Sequence, residues 1–354
     1  MVTDEFEYKS KIRVAISPVC NLRCAYCDNS HGQSTNRIIA MEDFRRTPLS
    51  AGCISTEEYI EILRTFFCSG FRRVNFTGGE PMLHPQWDVL VDQTKSIGFE
   101  SVEMTTNGTL LGAYLDRKGI LPAGLDRLIV SIDTYDPDHY RLLVGKDVSL
   151  EQVCADIRRV AVGSNKLKLT ANCVLTKSKR VSLSKYIDFI IDAGFDSVTF
   201  LDLVVRDSSN KKEIDYFKQE FFSGREIKKE IALLYGTLEI HQGRHDYNVV
   251  LPNGLNISVV DTQGLTRRDS ACSNCARFCQ EGFYTAKVAT DGNITDCLGA
   301  GGISIDGISA LHSGTLEREL RRIYDRLAKG KQGYYFNEFL RFISEGATQA
   351  PKNS

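Results

Sequence analysis

The stretch that decides this fold is Arg13-Val-Ala-Ile-Ser17 followed by Cys20-Asn-Leu-Arg-Cys24-Ala-Tyr-Cys27. The first segment predicts a buried strand because apolar and β-branched residues dominate it. The second segment puts three thiols on the loop that leaves this strand. Cysteines seldom cluster in this way for packing alone, so the spacing indicates a metal centre.

A repeated pattern runs outward from this stretch over residues 13–203: a β-branched run, a polar turn, an amphipathic helix and a glycine. The pattern predicts six strands, at 13–17, 73–77, 101–105, 128–132, 167–174 and 197–203. Strands and helices that alternate at this spacing predict an α/β fold with a parallel sheet, either closed like a (β/α) barrel or partly open. In both cases the chemistry belongs at the carboxyl ends of the strands.

Length and composition set the outer limits. The 354 residues, 42% hydrophobic and 25% charged, favour one large α/β unit or a domain with an appendage. With 44 basic and 45 acidic residues the net charge is −1, which excludes broad nucleic-acid binding. A charged N-terminus and the lack of any eighteen-residue apolar run predict a cytoplasmic protein with no membrane partner. Eleven cysteines, an odd number, argue against a disulfide framework.

The alternation of predicted strands and helices ends at about residue 207. A charged, helix-like stretch at 210–235 is followed by a Gly-, Asn- and Asp-rich region at 241–269, by clustered cysteines and by an amphipathic helix at 314–328. We therefore expect a core at 1–210, a connecting region at 211–265, and a C-terminal metal-binding part with a terminal helix at 266–354.

A second cysteine cluster lies in this C-terminal part, with Cys272, Cys275, Cys279 and Cys297. An Asp-Gly turn within 290–292 predicts a β-hairpin that brings Cys279 and Cys297 together. Four thiols suit an iron–sulfur cluster, and they could equally close a zinc site.

The remaining cysteines, Cys53, Cys68, Cys154 and Cys173, have no partner spacing and are expected to be small core hydrophobes. A role for Cys53 or Cys68 as a thiol hydrogen-atom donor is the alternative.

The first cluster favours iron over zinc. A structural zinc site needs four ligands, whereas three thiolates leave one corner of a four-iron cluster open. With Tyr26 before the third cysteine, the loop resembles the signature of the radical S-adenosylmethionine (SAM) enzymes. The resemblance implies a partial (β/α)6 TIM-like barrel in which Cys20, Cys24 and Cys27 are catalytic ligands of a [4Fe–4S] cluster. That cluster binds SAM and delivers the electron that releases a 5′-deoxyadenosyl radical.

Further motifs at the predicted strand ends fit this resemblance. Thr77-Gly-Gly-Glu-Pro81 ends the second strand, and Thr105-Thr-Asn-Gly108 ends the third. In the family these positions contact the amino group, the ribose and the carboxylate of SAM. The implied SAM-binding residues are Tyr26, Gly78, Gly79, Glu80, Thr106, Ser131 and Asn172.

The chain also resembles a GTP 3′,8-cyclase-like subgroup, whose twitch or SPASM extension carries a second, auxiliary [4Fe–4S] cluster. Here the ligands implied are Cys272, Cys275, Cys279 and Cys297, with three or four of them binding. Arg13, Arg73 and Lys287 match basic substrate contacts, but Thr170 and Thr285 replace other cations of the subgroup. Lost cations weaken phosphate binding, so a smaller or less charged substrate is expected.

The sequence thus predicts a radical SAM enzyme that acts on a nucleotide- or sugar-like small molecule with electrons from a flavodoxin or ferredoxin. Cyclisation, carbon–carbon bond formation, dehydrogenation and epimerisation all start from the same hydrogen abstraction and remain open. One alternative is a maturase of a ribosomal precursor peptide. Another is a non-catalytic iron–sulfur or zinc scaffold, which does not explain the Gly-Gly-Glu-Pro motif.

Overall fold

The computed structural model describes residues 11–24, 27, 39–40, 53–163, 166–178, 182–204, 211–236, 247–260, 265–274, 285–297 and 302–334. Its strands are β1 Lys11–Ser17, β2 Val19–Cys20, β3 Ile39–Ala40, β4 Arg73–Gly78, β5 Ser101–Thr106, β6 Arg127–Ser131, β7 Lys168–Val174, β8 Ser197–Leu201, β9 Tyr247–Val250, β10 Asn256–Val260, β11 Leu265–Arg268, β12 Ala286–Val288, β13 Asn293–Thr295, β14 Ser304–Asp306 and β15 Lys331–Tyr334. Its α-helices are α1 Thr56–Cys68, α2 Trp87–Ile97, α3 Leu111–Lys118, α4 Pro137–Val144, α5 Leu150–Gly163, α6 Leu183–Asp192, α7 Lys211–Glu220, α8 Gly224–Tyr235, α9 Gly307–His312 and α10 Leu316–Lys329.

An eleven-stranded sheet forms the centre, in the order β14-β13-β12-β1-β4-β5-β6-β7-β8-β10-β9. The six strands predicted from the sequence are β1 and β4 to β8, and neighbours among them pair in parallel. The helices that follow β4 to β7 cross back over the sheet, as parallel pairing requires. The predicted α/β class with a parallel, barrel-like sheet is confirmed.

The C-terminal half extends this sheet at both edges. On one side β10 pairs in parallel with β8, and on the other β12 pairs in parallel with β1. The stretch expected to connect two parts at 211–265 therefore supplies two helices and two strands of the central sheet. The boundaries proposed for the three parts stay a prediction.

The two faces of the sheet differ in chemistry. Along β1, Ile12, Val14 and Ile16 are fully buried in the apolar core, whereas Lys11 and Arg13 alternate with them on the opposite face. The same alternation runs through β4 to β8, because successive side chains of a strand point to opposite sides. One face thus packs against apolar residues of the helices, and the other is predominantly polar.

Local signals place the helices as the sequence predicts. Ser55 and Glu58 form a reciprocal capping box at the start of α1, and Gly98 ends α2 in the left-handed region. Cys154 and Cys173 are buried, as expected for core hydrophobes. The same expectation is wrong for Cys68, which is exposed because it ends α1 outside that helix's buried stripe. No helix within the described ranges is long and apolar enough to span a membrane.

Candidate active site

The first cysteine loop lies at the carboxyl edge of the parallel strands. Cys20 ends β2 and is buried, and Cys24 and Cys27 are half-buried. The N–H of Cys27 donates to the carbonyl of Cys24 (3.2 Å). The N–H of Arg23 donates to the carbonyl of Val144 (2.9 Å), which anchors the loop to the end of α4.

A ring of polar side chains ties this loop to the loop after β5. Asn21 Nδ2 donates to Thr109 Oγ1 (2.7 Å), and Thr109 Oγ1 donates to Asn107 Oδ1 (2.6 Å). Asn107 Nδ2 closes the ring on Asn21 Oδ1 (2.9 Å) and lies 3.7 Å from Cys20 Sγ. Asn107 was not among the predicted site residues, although the Thr-Thr-Asn-Gly string contains it.

The glycine pair after β4 is packed against the segment that leads into the cysteine loop. A Cβ on Gly78 would lie 2.4 Å from the carbonyl oxygen of Ser17, and one on Gly79 would lie 1.9 Å from that of Val19. The N–H of Gly79 donates to Ser17 O (2.6 Å), and the next N–H, of Glu80, donates to Val19 O (2.7 Å). These glycines are required by contact between two stretches of backbone, whatever ligand lies beside them.

Glu80 is 1% exposed and joins three neighbouring segments. Its carboxylate accepts hydrogen bonds from Thr106 Oγ1 (2.7 Å), from the N–H of Asn107 (2.8 Å) and from the N–H of Met82 (3.1 Å). Burial raises the pKa of Glu80 to about 7, and these three donors partly oppose that effect. A cationic group beside Glu80 would favour the charged carboxylate, as an ammonium ion does.

The other predicted SAM contacts fall on adjacent positions at the strand ends. Ser131 of β6 and Asn172 of β7 are register partners and are both half-buried. The hydroxyl of Thr106 donates to Glu80 and accepts from the N–H of Gly108 (3.1 Å), so it fastens the site from within. Tyr26 lies outside the described residues.

The donor set of the loop fits an iron–sulfur cluster. Three thiols on one short loop match a cluster that keeps one iron open for another ligand. Burial raises the pKa of Cys20 to about 11, with Glu80 and Cys27 adding to the effect, and bound iron would supply the charge that favours the thiolate. No three His, Cys, Asp or Glu side chains in the described ranges converge as a single-ion site. A cluster of four irons is larger than one ion and spaces its ligands more widely.

The predicted substrate-binding cations share the polar face of the sheet. Arg13 of β1 and Lys287 of β12 are register partners, and Lys287 is 7% exposed. Arg73 of β4 is ion-paired with Glu103 of β5 (Arg73 Nη2 to Oε1, 3.1 Å). Lys11 Nζ lies 2.7 Å from the other oxygen of Glu103.

Glu103 is a component of this face that sequence reasoning missed. It is 1% exposed, and its pKa falls to about 2 because the attraction of Lys11 and Arg73 outweighs the opposing effect of burial. The signal available in the sequence was a carboxylate at an alternating position inside a strand whose neighbours are apolar. A buried anion on Arg73 reduces the positive charge that this arginine offers to a phosphate.

Uncharged hydrogen-bonding groups line the rest of the polar face. Asn75 and Thr105 exchange hydrogen bonds across β4 and β5 (3.2 Å), and Thr170 and Ser197 lie 2.7 Å apart across β7 and β8. Asn75 and Thr170 are buried. A buried surface of hydroxyl and amide groups suits a small polar molecule better than an apolar one.

The second cysteine region is described in part. Cys272 and Cys297 are half-buried, whereas Cys275 and Cys279 lie outside the described residues. The predicted hairpin is present: β12 and β13 pair antiparallel, and Gly292 takes a positive φ of 84° in the turn. Its role in bringing Cys279 to Cys297 stays a prediction.

Comparison with known proteins gives a family match within the first half of the chain. Residues 14–162 match the model of the Radical SAM superfamily. The chain is 26% identical over 325 residues to a probable GTP 3′,8-cyclase of Methanothermobacter thermautotrophicus, covering 92% of this chain and 95% of that protein. It is 27% identical over 304 residues to the GTP 3′,8-cyclase of Chlorobaculum tepidum, covering 84% and 81% respectively.

Solved structures show the same fold at lower identity. Streptococcus suis SuiB bound to precursor peptide SuiA matches with a TM-score of 0.53 and 15% identity, over 88% of this chain and 66% of that one. SuiB bound to S-adenosylmethionine gives a TM-score of 0.52 at 15% identity, over 94% and 72%. This chain therefore spans about two thirds of the length of SuiB.

Proposed function

We propose that this chain cleaves SAM reductively and abstracts a hydrogen atom from a small polar substrate. It carries a radical SAM domain and is a radical SAM enzyme. The substrate is nucleotide- or sugar-like and carries less negative charge than a triphosphate. The observation that supports this class best is the buried polar face of the sheet, with Glu103 ion-paired to Arg73.

The cofactor would lie at the carboxyl ends of β1 and β4 to β7. Cys20, Cys24 and Cys27 would hold the [4Fe–4S] cluster, which when bound supplies one electron to SAM. The buried carboxylate of Glu80 would accept a hydrogen bond from the SAM ammonium group. Ser131 and Asn172, as neighbours in register, would contact the ribose and carboxylate.

The substrate would lie on the polar face, where the uncharged groups of Asn75, Thr105 and Thr170 can bind hydroxyl or amide groups. Arg13 and Lys287 share this face and would suit a single anionic group. Because Glu103 already neutralises part of the charge of Arg73, this face would bind a triphosphate more weakly than a face whose arginine has no anionic partner.

The C-terminal cysteines would hold a second [4Fe–4S] cluster, as their spacing and the resemblance to the cyclase-like subgroup imply. Cys272 and Cys297 would be two of its ligands, with Cys275 and Cys279 supplying the remainder. Electrons would come from a flavodoxin or ferredoxin.

The test of SAM cleavage is the yield of 5′-deoxyadenosine after anaerobic reconstitution, with dithionite and SAM. We expect the wild type to produce it and Cys24→Ala to produce none. Cys68→Ala is the matched control, because that thiol is exposed and lies in neither cysteine cluster. A wild type that binds SAM without forming 5′-deoxyadenosine would contradict the proposal and favour a scaffold.

The substrate class is tested separately with deuterated guanosine, GMP and GTP. Hydrogen abstraction transfers deuterium from the substrate to 5′-deoxyadenosine, which mass spectrometry detects. We expect transfer from the nucleoside or the monophosphate to exceed that from GTP. Greatest transfer from GTP would overturn the charge argument and leave SAM cleavage intact.

A further inference from the structure

Two segments that carry predicted ligands of the second cluster belong to different sheets. Cys272 follows β11, which pairs antiparallel with β15 in a separate two-stranded sheet. Cys297 follows β13, which belongs to the central sheet. No strand pairing joins β11 to β13. Strand pairing among the described residues therefore does not by itself fix the separation of these two cysteines.

One side chain bridges the two segments. The guanidinium of Arg326, on α10, contacts Asp269, with Nε 2.5 Å from Oδ2 and Nη2 3.1 Å from Oδ1. Its Nη1 contacts both oxygens of Asp296, at 2.9 and 3.0 Å. One planar fork thus binds two carboxylates, a geometry that lysine cannot reproduce.

Both carboxylates lie next to the cysteines. Asp296 immediately precedes Cys297, is fully buried, and also accepts a hydrogen bond from the N–H of Ile303 (2.9 Å). Asp269 comes three residues before Cys272, and its Oδ1 accepts from the N–H of Ala271 (3.0 Å) and lies 3.6 Å from the Cys272 Sγ. Fixing the two aspartates therefore fixes the backbone from which the two thiols project.

The helix that carries Arg326 is itself anchored to the core. Leu320, Ile323 and Leu327 of α10 are buried, and the ring of Tyr324 packs edge-to-face on Phe71 (centroids 5.2 Å apart). The Arg326 side chain is 12% exposed, so water competes little for the hydrogen bonds of its guanidinium. Through Arg326, this anchored helix holds both cysteine segments in place relative to the core.

We propose that Arg326 is a positioning residue that holds Cys272 and Cys297 at the separation which the second cluster requires. The inference rests on the proposed function, in which these cysteines bind that cluster. It gives helix α10, which lies outside both cysteine motifs, a role in assembling one of the two metal sites. The prediction is specific to this site, since the two carboxylates that Arg326 binds, Asp269 and Asp296, lie beside cysteines of the second region.

The experiment uses full-length protein with Cys20, Cys24 and Cys27 all changed to Ala, so that only the second site can bind iron. After anaerobic reconstitution, this parent should hold about four irons per chain. Adding Arg326→Gln should leave less than one quarter of that iron, and Arg326→Lys an intermediate amount with an altered EPR spectrum of the reduced cluster. Arg322→Gln is the matched control, because Arg322 lies one turn away on α10, is exposed, and pairs with Glu319.

A structural role alone would lower the unfolding temperature equally with and without iron, whereas a positioning role lowers it more in the loaded protein. If Arg326→Gln does not fold, Asp269→Asn is the milder test, since Asp269 is 26% exposed at its side chain. We expect this variant to lose iron at least threefold. Parental iron content and EPR spectra in a folded Arg326→Gln or Asp269→Asn protein would overturn this inference alone. A parent without iron would overturn the second cluster, and this inference with it.

Discussion

The two cysteine regions are built in different ways. The first places Cys20, Cys24 and Cys27 on one loop, which is held by backbone contacts from Gly78 and Gly79. In the second, Cys272 and Cys297 follow strands of different sheets, and the guanidinium of Arg326 bridges the two segments. A site supported by backbone should fail when volume is added. A site supported by charge should fail when charge is removed.

The largest effect is expected for Gly79→Ala, which tests the support of the first site. The new Cβ would lie 1.9 Å from the carbonyl oxygen of Val19, and backbone on both sides cannot move aside cheaply. We expect a loss of about 3 kcal/mol or more in the free energy of unfolding, at the top of the range for overpacking. Urea unfolding measures it.

The matched control for that variant is Gly163→Ala, where a Cβ would have no atom within 4 Å. This change at the end of α5 should leave stability unchanged within about 1 kcal/mol, because only helix propensity and chain entropy differ. Equal midpoints for Gly79→Ala and the wild type would show that the glycine pair is not packed as described.

The next effect concerns charge within the core sheet. Glu103 is paired with Lys11 and Arg73, and Glu103→Gln should cost about 3 kcal/mol because two cations lose a buried partner. The pH dependence has a definite sign. The folded pKa of about 2 lies below the ordinary 4.5, so this stability is complete above pH 4.5 and is lost as the pH falls towards 2.

Urea unfolding of the wild type and of Glu103→Gln, measured from pH 6 down to the lowest pH at which both proteins fold, tests this pH dependence. The variant should lack the part of the acid destabilisation that this carboxyl causes. If both proteins lose stability in parallel over that range, the Glu103 ion pairs contribute little to folding. In that case, charge would support the core sheet less than it supports the second cysteine region.

A third effect is on SAM binding rather than folding. Glu80→Gln removes the carboxylate that is expected to meet the SAM ammonium group, and a charge-assisted hydrogen bond contributes about 1.5–3 kcal/mol. The dissociation constant of SAM, measured by equilibrium dialysis on reconstituted protein, should rise about tenfold or more. Unchanged SAM affinity in a variant with normal iron content would restrict the role of Glu80 to its hydrogen bonds with Thr106 and Asn107.

The smallest effect is expected for Gly292→Ala in the hairpin of the second region. Gly292 has a φ of 84°, a conformation that costs an L-residue about 1–2 kcal/mol. The added Cβ would also meet Ile308 Cγ1 at 2.8 Å, but that side chain can shift. We expect partial loss of iron from the second site and full retention at the first. Loss from the first site instead would show that the two regions are not independent.

The sequence predicted the first region well because its information is local. The six core strands follow from a period of two, and the cysteine loop and the glycine pair are contiguous motifs that lie at strand ends. It did not show why Gly79 must be glycine, since the contact with Val19 joins positions sixty residues apart.

The sequence predicted less of the second region because its contacts are long-range. The pairing of β12 with β1 joins positions about 274 residues apart, and no local period encodes it. Arg326 looks like one more basic residue of an amphipathic helix until Asp269 and Asp296 are seen against it. Glu103 was missed for the same reason, because Lys11 and Arg73 come from two other strands.

The central claim is that this chain holds two independent [4Fe–4S] clusters, one of which binds SAM. Iron and sulfide content with Mössbauer spectroscopy, after anaerobic reconstitution, tests it on the wild type and on the Cys20/Cys24/Cys27→Ala protein. About eight irons in the wild type and about four in the variant are the predicted result. About four irons in the wild type and none in the variant, with zinc bound instead to the C-terminal cysteines, would contradict it.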